Sequence, residues 1–410
     1  MSSKSRYIVI RALDDATGRP KRGGGAERIV LGARDVGRAP VRVKASIEEL
    51  DEADQRNIRR DRSVLAHAPS MRMRLVGPRD VAEVASAPAG ISWGVQAVHA
   101  DASDMTGAGI AVAVLDTGID PHHAAFDDPE LELVRENFTN ESDDDEHGHG
   151  THCAGTIFGR DVDGTRIGVA RGVRKAIIGK VLGANGGGSE QIVQAMLWAC
   201  DQGAQVISMS LGIDFPGQVK WLIEEAGLPA DVASSRALED YRANVLLFER
   251  VASLLKARKN PPLLIAAAGN ESRLDENAEW SIGVSPPAVS EGFISVAALG
   301  QSPTGLVIAP FSNFGAAVSA PGVDIVSAKV GTAKGLARMS GTSMAAPHVA
   351  GLAALWGERQ LKELGRVAYL QLSASVIASA AIKGLRTGYD PVAVGGGLVQ
   401  APLAEALAVT

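Results

Sequence analysis

A chain of 410 residues, 46% of them apolar, can bury one large core and a smaller one. Its aromatic fraction of 4% offers little stacking surface for nucleic acid, and no stretch stays apolar long enough to span a membrane. The net charge of −6 is uneven, with 18 Lys and Arg against 12 Asp and Glu over residues 1–90 and 23 against 35 over residues 91–410, and the absence of aromatic interleaving points to complementarity between two parts of one chain rather than to a nucleic-acid arm.

In chain order, residues 6–11 and 28–32 read as short strands, 47–60 as a charged amphipathic helix and 71–76 as another strand. Together they predict a small α+β unit over residues 1–77. The apolar run near the start is too short for a signal-peptide core, which by default predicts a cytoplasmic protein, with unconventional export as the alternative. Residues 78–90, entered through Gly77-Pro78 and closed by Ala87-Pro88-Ala89-Gly90, read as an exposed connection.

From Gly107 the pattern becomes α/β. The run Gly109-Ile110-Ala111-Val112-Ala113-Val114-Leu115 has the character of a parallel strand buried on both faces, and it ends in Asp116. A carboxylate at the carboxyl end of such a strand is well placed for a site, although a turn cap is the plainer role. The acidic run 141–146 reads as a solvated loop, with a cation site as the alternative. Next comes His147-Gly148-His149-Gly150-Thr151-His152-Cys153, where one histidine can serve as general base. A zinc reading lacks the usual pair of ligands one helical turn apart with an adjacent catalytic acid. Cys153 reads as a small buried apolar residue, and a disulfide to Cys200 is not favoured.

A strand over 176–182 leads to the loop Gly183-Ala184-Asn185-Gly186-Gly187-Gly188-Ser189 and a helix over 190–202. The loop lacks a Lys-Ser/Thr ending for phosphate, and fits better as an edge along which an extended peptide could lie. Strands are expected over 206–212 and 263–270, the second ending in Asn270, whose amide could donate to an oxyanion. Between them, residues 213–262 read as an inserted element with a helix over 235–256. After a loop and strand within 284–299, Ser343 sits in Gly341-Thr342-Ser343-Met344-Ala345-Ala346-Pro347-His348, at the first turn of an almost wholly apolar helix. There it is either a nucleophile or a helix cap. Strands alternating with helices predict a parallel sheet.

Asp116, His149 and Ser343 stand in the order acid, base, nucleophile. Through Val114-Leu115-Asp116-Thr117-Gly118, the His149 and Ser343 segments, Ser210-Leu211-Gly212 and Ala267-Ala268-Gly269-Asn270, about residues 91–405 resemble the subtilisin-like serine proteases, which implies a catalytic domain over residues 91–410. The resemblance implies a three-layer α/β fold with a mainly parallel sheet, and a serine endopeptidase needing no cofactor for its chemistry. It implies that His149 takes the Ser343 proton, that Asp116 orients His149, and that Asn270 binds the oxyanion. Leu182, Gly183, Gly186, Ser210, Leu211 and Gly212 would hold substrate backbone, and Ala267, Ala268 and Gly269 would line a pocket favouring large uncharged side chains, with Glu271 nearby. Structural Ca²⁺ is common in the family, and Asp161 and Asp163 fall where an ion-binding loop would lie, but two carboxylates are too few to define a site. The basic N-terminal unit resembles a family propeptide, an intramolecular inhibitor and folding aid that is then cut away. Protein or peptide substrates are the implied partners, with neither nucleic acid nor membrane. A non-catalytic peptide-binding protein and an esterase or peptide ligase on the same acyl-enzyme are the alternative functions.

Overall fold

The computed structural model describes residues 4–13, 43–77, 81–84 and 89–404. The N-terminal unit comprises β1 (Ser5–Ala12), β2 (Val43–Leu50), α1 (Glu52–Ile58) and β3 (Val64–Pro69), followed by β4 (Arg72–Leu75) and β5 (Val81–Val84). The larger unit opens with β6 (Gly90–Ile91), α2 (Trp93–Ala97), β7 (Ala111–Asp116), β8 (Glu132–Asn137), α3 (His149–Phe158) and β9 (Thr165–Arg166). It continues with β10 (Lys175–Lys180), β11 (Gly187–Gly188), α4 (Ser189–Asp201), β12 (Val206–Met209), β13 (Leu211–Ile213), α5 (Phe215–Glu224) and α6 (Ala230–Lys256). The last elements are β14 (Leu263–Ala267), β15 (Phe293–Ser302), β16 (Gly305–Ile308), β17 (Val318–Pro321), β18 (Ile325–Ala328), β19 (Leu336–Met339), α7 (Thr342–Leu364), α8 (Tyr369–Ala378) and α9 (Pro391–Val394). Among the described residues no helix is long and apolar enough to cross a membrane.

The central sheet runs β16-β15-β14-β12-β7-β10-β8, with β17 also on β15, and only the β15–β16 pair is antiparallel. Period-two alternation divides its side chains between two cores. Val112, Val114 and Ile178 join Ile157, Phe158 and the apolar face of α7, while Ala113, Leu115 and Ile177 join Ile192 and Met196 of α4 and Phe248 and Val251 of α6. Three layers result, and the carboxyl ends of β7, β12 and β14 carry their following loops to one edge.

The N-terminal sheet, ordered β2-β1-β3, puts Ile8, Ile10 and Ala68 into the same cluster as α4 and α6. Ion pairing is present at this contact, where Arg6 lies 3.3 Å from Glu190, and Asn244 Nδ2 on α6 donates to the Pro69 carbonyl at 2.9 Å. Basic and acidic parts of the chain do meet.

Several expectations are corrected. Residues 47–60 are not one helix: Ile47 pairs with Ile8 across β1 and β2, and the helix starts only where the Asp51 carboxylate accepts from the Ala53 and Asp54 N–H groups. The stretch 78–90 is not simply an exposed connection, because β5 pairs antiparallel with β19. The strand over 206–212 breaks at Ser210 into β12 in the sheet and β13 outside it. The insertion holds two helices, since Asp214 caps α5 and Pro216 sits in its first turn, where a missing N–H costs little. The strand expected at 28–32 lies outside the described residues.

Close approach of α7 to the rest of the core depends on Gly351, where an added Cβ would lie 2.7 Å from Val169 Cβ. Gly351→Ala gains about 0.5–1 kcal/mol in helix propensity but overpacks a dense interior at a cost of about 1–3 kcal/mol. The net expectation is destabilisation, read as a lower urea midpoint in a Ser343→Ala background that keeps self-digestion out of the measurement. An unchanged or raised midpoint would show that Val169 yields.

Candidate active site

Because β7 is flanked by β10 and β12, Asp116 at its end is almost wholly buried. Its carboxylate meets His149, the first residue of α3, with Oδ1 2.8 Å from Nδ1. A carboxylate can only accept, so Nδ1 carries a proton, and in the neutral ring Nε2 is left with its lone pair. Among the described residues Nε2 has no hydrogen-bond partner. Burial works against charge on this ring, but the adjacent Asp116 carboxylate outweighs it and holds His149 well above the ordinary value of 6.5. Cys153 lies one turn along α3, its Sγ 3.8 Å from His149 Nδ1 and 3.4 Å from the Ser343 carbonyl. Burial raises the thiol above its usual range, leaving it neutral. Cys153 and Cys200 are both free.

Ser343 occupies the first turn of α7 and is completely buried; its hydroxyl donates to the Val76 carbonyl. The Asn270 amide reaches the same place: Nδ2 donates to the Gly77 carbonyl at 2.9 Å and lies 3.4 Å from the Val76 carbonyl. Thr342 sets its orientation, since the Thr342 N–H and hydroxyl both donate to Asn270 Oδ1 at 2.9 Å. With the oxygen so engaged, the amide must present its N–H₂ end to the carbonyls of Val76 and Gly77.

Those carbonyls are delivered by β4, which lies between β11 and β13 and runs antiparallel to both. Met73 and Arg72 face Gly187 and Gly188, while Leu75, Arg74 and Met73 face Leu211, Gly212 and Ile213. The Val76 N–H continues the ladder to the Ser210 carbonyl at 3.3 Å. Gly186, at φ 81°, tolerates no side chain: an added Cβ would stand 2.5 Å from the Met73 carbonyl oxygen. Leu182 is buried beside this edge, Gly183 bridges to Gly186, and Ala267 and Ala268 are fully buried. Gly269 follows them and donates to Thr342 Oγ1.

The sequence profile of the subtilase family matches residues 107–387. The chain belongs to the subtilase family. It is 34% identical over 283 residues to M-protease of Shouchella clausii (strain KSM-K16), covering 67% of this chain and 61% of that protein. Subtilisin Savinase of Lederbergia lenta is 34% identical over 274 residues, covering 65% and 83%, and subtilisin-like serine protease Pen ch 13 of Penicillium rubens is 34% identical over 314 residues, covering 70% and 65%. The match thus spans less than two thirds of the length of M-protease.

In this subtilase, residues that the sequence left unnoticed hold the site together. Asp145, taken as part of a solvated acidic run, is 3% exposed. Its Oδ1 accepts from Thr117 Oγ1 and the His147 and Gly148 N–H groups at 2.8–3.0 Å, and its Oδ2 accepts from the Thr151 N–H and hydroxyl at 2.9 and 2.7 Å. One carboxylate therefore ties the turn after Asp116 to the start of the His149 helix. The only signal was its place two residues before a run of glycines and histidines. Gly188 and Ile213 were also missed as partners of an extended chain, although their loop and strand had been singled out.

His149 and His152 turn to different partners: His149 pairs with Asp116, while His152 Nε2 donates to the Ile325 and Ala337 carbonyls. Burial and the neighbouring His149 push His152 down to about 3, so it stays neutral. Among the described residues one cluster of metal-ligand type occurs, Asp116, His149 and Cys153, and its first two members are already hydrogen-bonded to each other. Asp161 and Asp163 turn to separate cations, Arg171 and Lys334, instead of converging on a common point. Glu141 and Asp144 likewise face Lys180 and Arg135.

Asp145→Ala would orphan several buried donors at about 1–3 kcal/mol each, less what entering water recovers. A stability loss of roughly 3 kcal/mol or more is expected, seen as a lower Tm, with Asp145→Asn milder because one oxygen still accepts. Equal, small effects of both variants would show that Asp145 does not hold the two segments together.

Proposed function

We propose that the protein is a serine endopeptidase, made as a precursor that cleaves its own Val76–Gly77 bond and then hydrolyses other polypeptides. The observation carrying this reading is one residue, Val76, met from three sides: the Ser343 hydroxyl and Asn270 Nδ2 at its carbonyl, and the Ser210 carbonyl at its N–H. In this reading His149 Nε2 takes the Ser343 proton as Oγ bonds to the Val76 carbonyl carbon. Asp116 stabilises the imidazolium, and Asn270 Nδ2 with the Ser343 N–H binds the oxyanion. The C–N bond then breaks, His149 protonates the Gly77 amine, and water repeats the sequence on the acyl-enzyme to release the Val76 carboxylate.

Family membership and the names of the relatives support the activity, and the seated strand supports the zymogen. The N-terminal unit would then act as an intramolecular inhibitor, its strand occupying the cleft. Val76, 2% exposed in the position before the bond, supports acceptance of an uncharged residue there. Main-chain pairing of the flanking residues supports broad specificity, since every peptide carries the same backbone. No cofactor enters this chemistry, and the separate ion pairs of Asp161 and Asp163 give calcium no support at that loop.

Intact mass of wild type and Ser343→Ala, purified in parallel, tests the reading. Wild type is expected to yield a fragment ending at Val76 and to hydrolyse an unfolded protein, and Ser343→Ala to do neither. A wild type that stays whole and inert would overturn both claims.

The proton on His149 gives a second check. Catalysis needs the ring neutral, and Asp116 holds its pKa above 6.5, so kcat/KM should rise about tenfold per pH unit and level off only above that value. Asp116→Asn removes the charge and the tautomer control, and should lower kcat by roughly 10⁴-fold. An acid limb ending below 6.5 would contradict the assignment of His149 as base.

A further inference from the structure

Arg74 is the third residue before the Val76–Gly77 bond, and its backbone is fixed opposite Gly212. Its guanidinium is forked between two acids, with Nη1 3.1 Å from Asp214 Oδ1 and Nη2 3.2 Å from Glu271 Oε1. Each acid has another anchor. Asp214 caps α5 by accepting the Gly217 N–H at 3.1 Å, and Glu271 Oε2 accepts from Asn313 Nδ2 at 2.7 Å. These carboxylates are therefore held in place by the fold as well as by the arginine.

Arg74 lines a cavity of about 1030 Å³ with apolar walls from Phe215, Tyr241 and Ile282. Arg273 and Glu276 also line it and cancel in formal charge, which leaves Glu271, with Asp214 across the guanidinium, as the excess. Two residues earlier, Arg72 places its guanidinium 5.5 Å from the centre of the Trp221 ring on α5. The insertion thus meets cationic side chains at alternate positions of the strand, where period two turns them to one side.

We infer that Asp214 and Glu271 make the active site select a basic residue, arginine above lysine, three positions before the bond it cuts. The inference rests on the proposed peptidase reading, with β4 and Val76 standing for seated substrate. A planar guanidinium can offer separate nitrogens to two carboxylates, whereas an ammonium is a single point of charge. A glutamate in that position would face two like charges. The small apolar walls around Val76 act on the residue next to the bond, and Glu271 is directed to the third position instead.

The test uses quenched fluorescent peptides with the core Met-Xaa-Leu-Val-Gly, where Xaa is Arg, Lys, Gln or Glu, on the full chain after its own processing. All the acids are partly solvated, so the expected preference is modest: kcat/KM for Arg roughly five-fold above Gln at low salt, Lys between them and Glu lowest. Screening should shrink the spread at about 1 M salt. In Asp214→Asn/Glu271→Gln, which keeps the cap and the Asn313 contact, the Arg to Gln ratio should fall to near one. An Arg to Gln ratio near one in wild type, or a ratio that persists in the double variant, would overturn the inference while leaving the peptidase intact. Wild type cutting none of the four peptides would instead overturn the peptidase reading, and this inference with it.

Discussion

Main-chain pairing of β4 between β11 and β13 is the constraint on which the site's arrangement depends. Each rung requires backbone to approach backbone, and Gly186 at the edge lacks the Cβ that would stand 2.5 Å from the Met73 carbonyl oxygen. The ladder sets where Val76 falls, because an antiparallel register cannot shift by one residue without turning every side chain to the other face. Met73, 1% exposed, and Val76, 2% exposed, would then lose their buried places, while Arg74 would lose both acids. Register thus places the Val76 carbonyl against Ser343, with Asn270 reaching it and the Gly77 carbonyl that follows.

Around that peptide the polar groups are arranged so that few have a choice. Thr342 commits the oxygen of Asn270 and leaves its nitrogen facing the bond. Asp116 commits Nδ1 of His149 and leaves Nε2 with its lone pair. Asp145 commits the turn after Asp116 and the start of α3 to one geometry, and His152 pins the other side of that helix to carbonyls of β18 and β19. Burial makes each commitment strict, since a buried donor or acceptor without its partner costs more than the bond itself contributes.

Much of this was legible because the chemistry-bearing residues lie in short, locally consistent runs. A continuous apolar strand ending in Asp116, small residues around His149 and an apolar helix starting at Ser343 each announce a buried element with a polar end. What was missed depends on distant contacts. Asp145 looks like its solvated neighbours until Thr117 and Thr151 are brought to it. Residues 47–50 carry enough charge to pass for a helix face, and only β1 makes them a strand. Residues 81–84 are a strand only because β19, more than 250 positions away, has a free edge for them. The start of α5 hid behind Pro216, a helix breaker everywhere except the first turn, where the structure puts it.

The insertion links the two units of the chain. Its α6 packs on the N-terminal sheet through Leu247, Phe248 and Val251, while Asp214, at its beginning, meets the strand leading out of that sheet. The ionic contacts of the N-terminal unit, Arg6 with Glu190 and Arg74 with Asp214 and Glu271, all involve partly exposed arginines and are individually weak in water. Ile8, Ile10 and Ala68, by contrast, are at most 1% exposed, and separating the units would return them to solvent. Apolar burial therefore contributes most to holding the N-terminal unit in place, and the acids add a charge contact to a strand whose register the ladder already sets. Under the proposed precursor reading, that division would suit a cleft that holds its first strand firmly and later strands briefly: a free peptide would bring the backbone and the charge but not the sheet behind them, and so would bind by the weaker set alone.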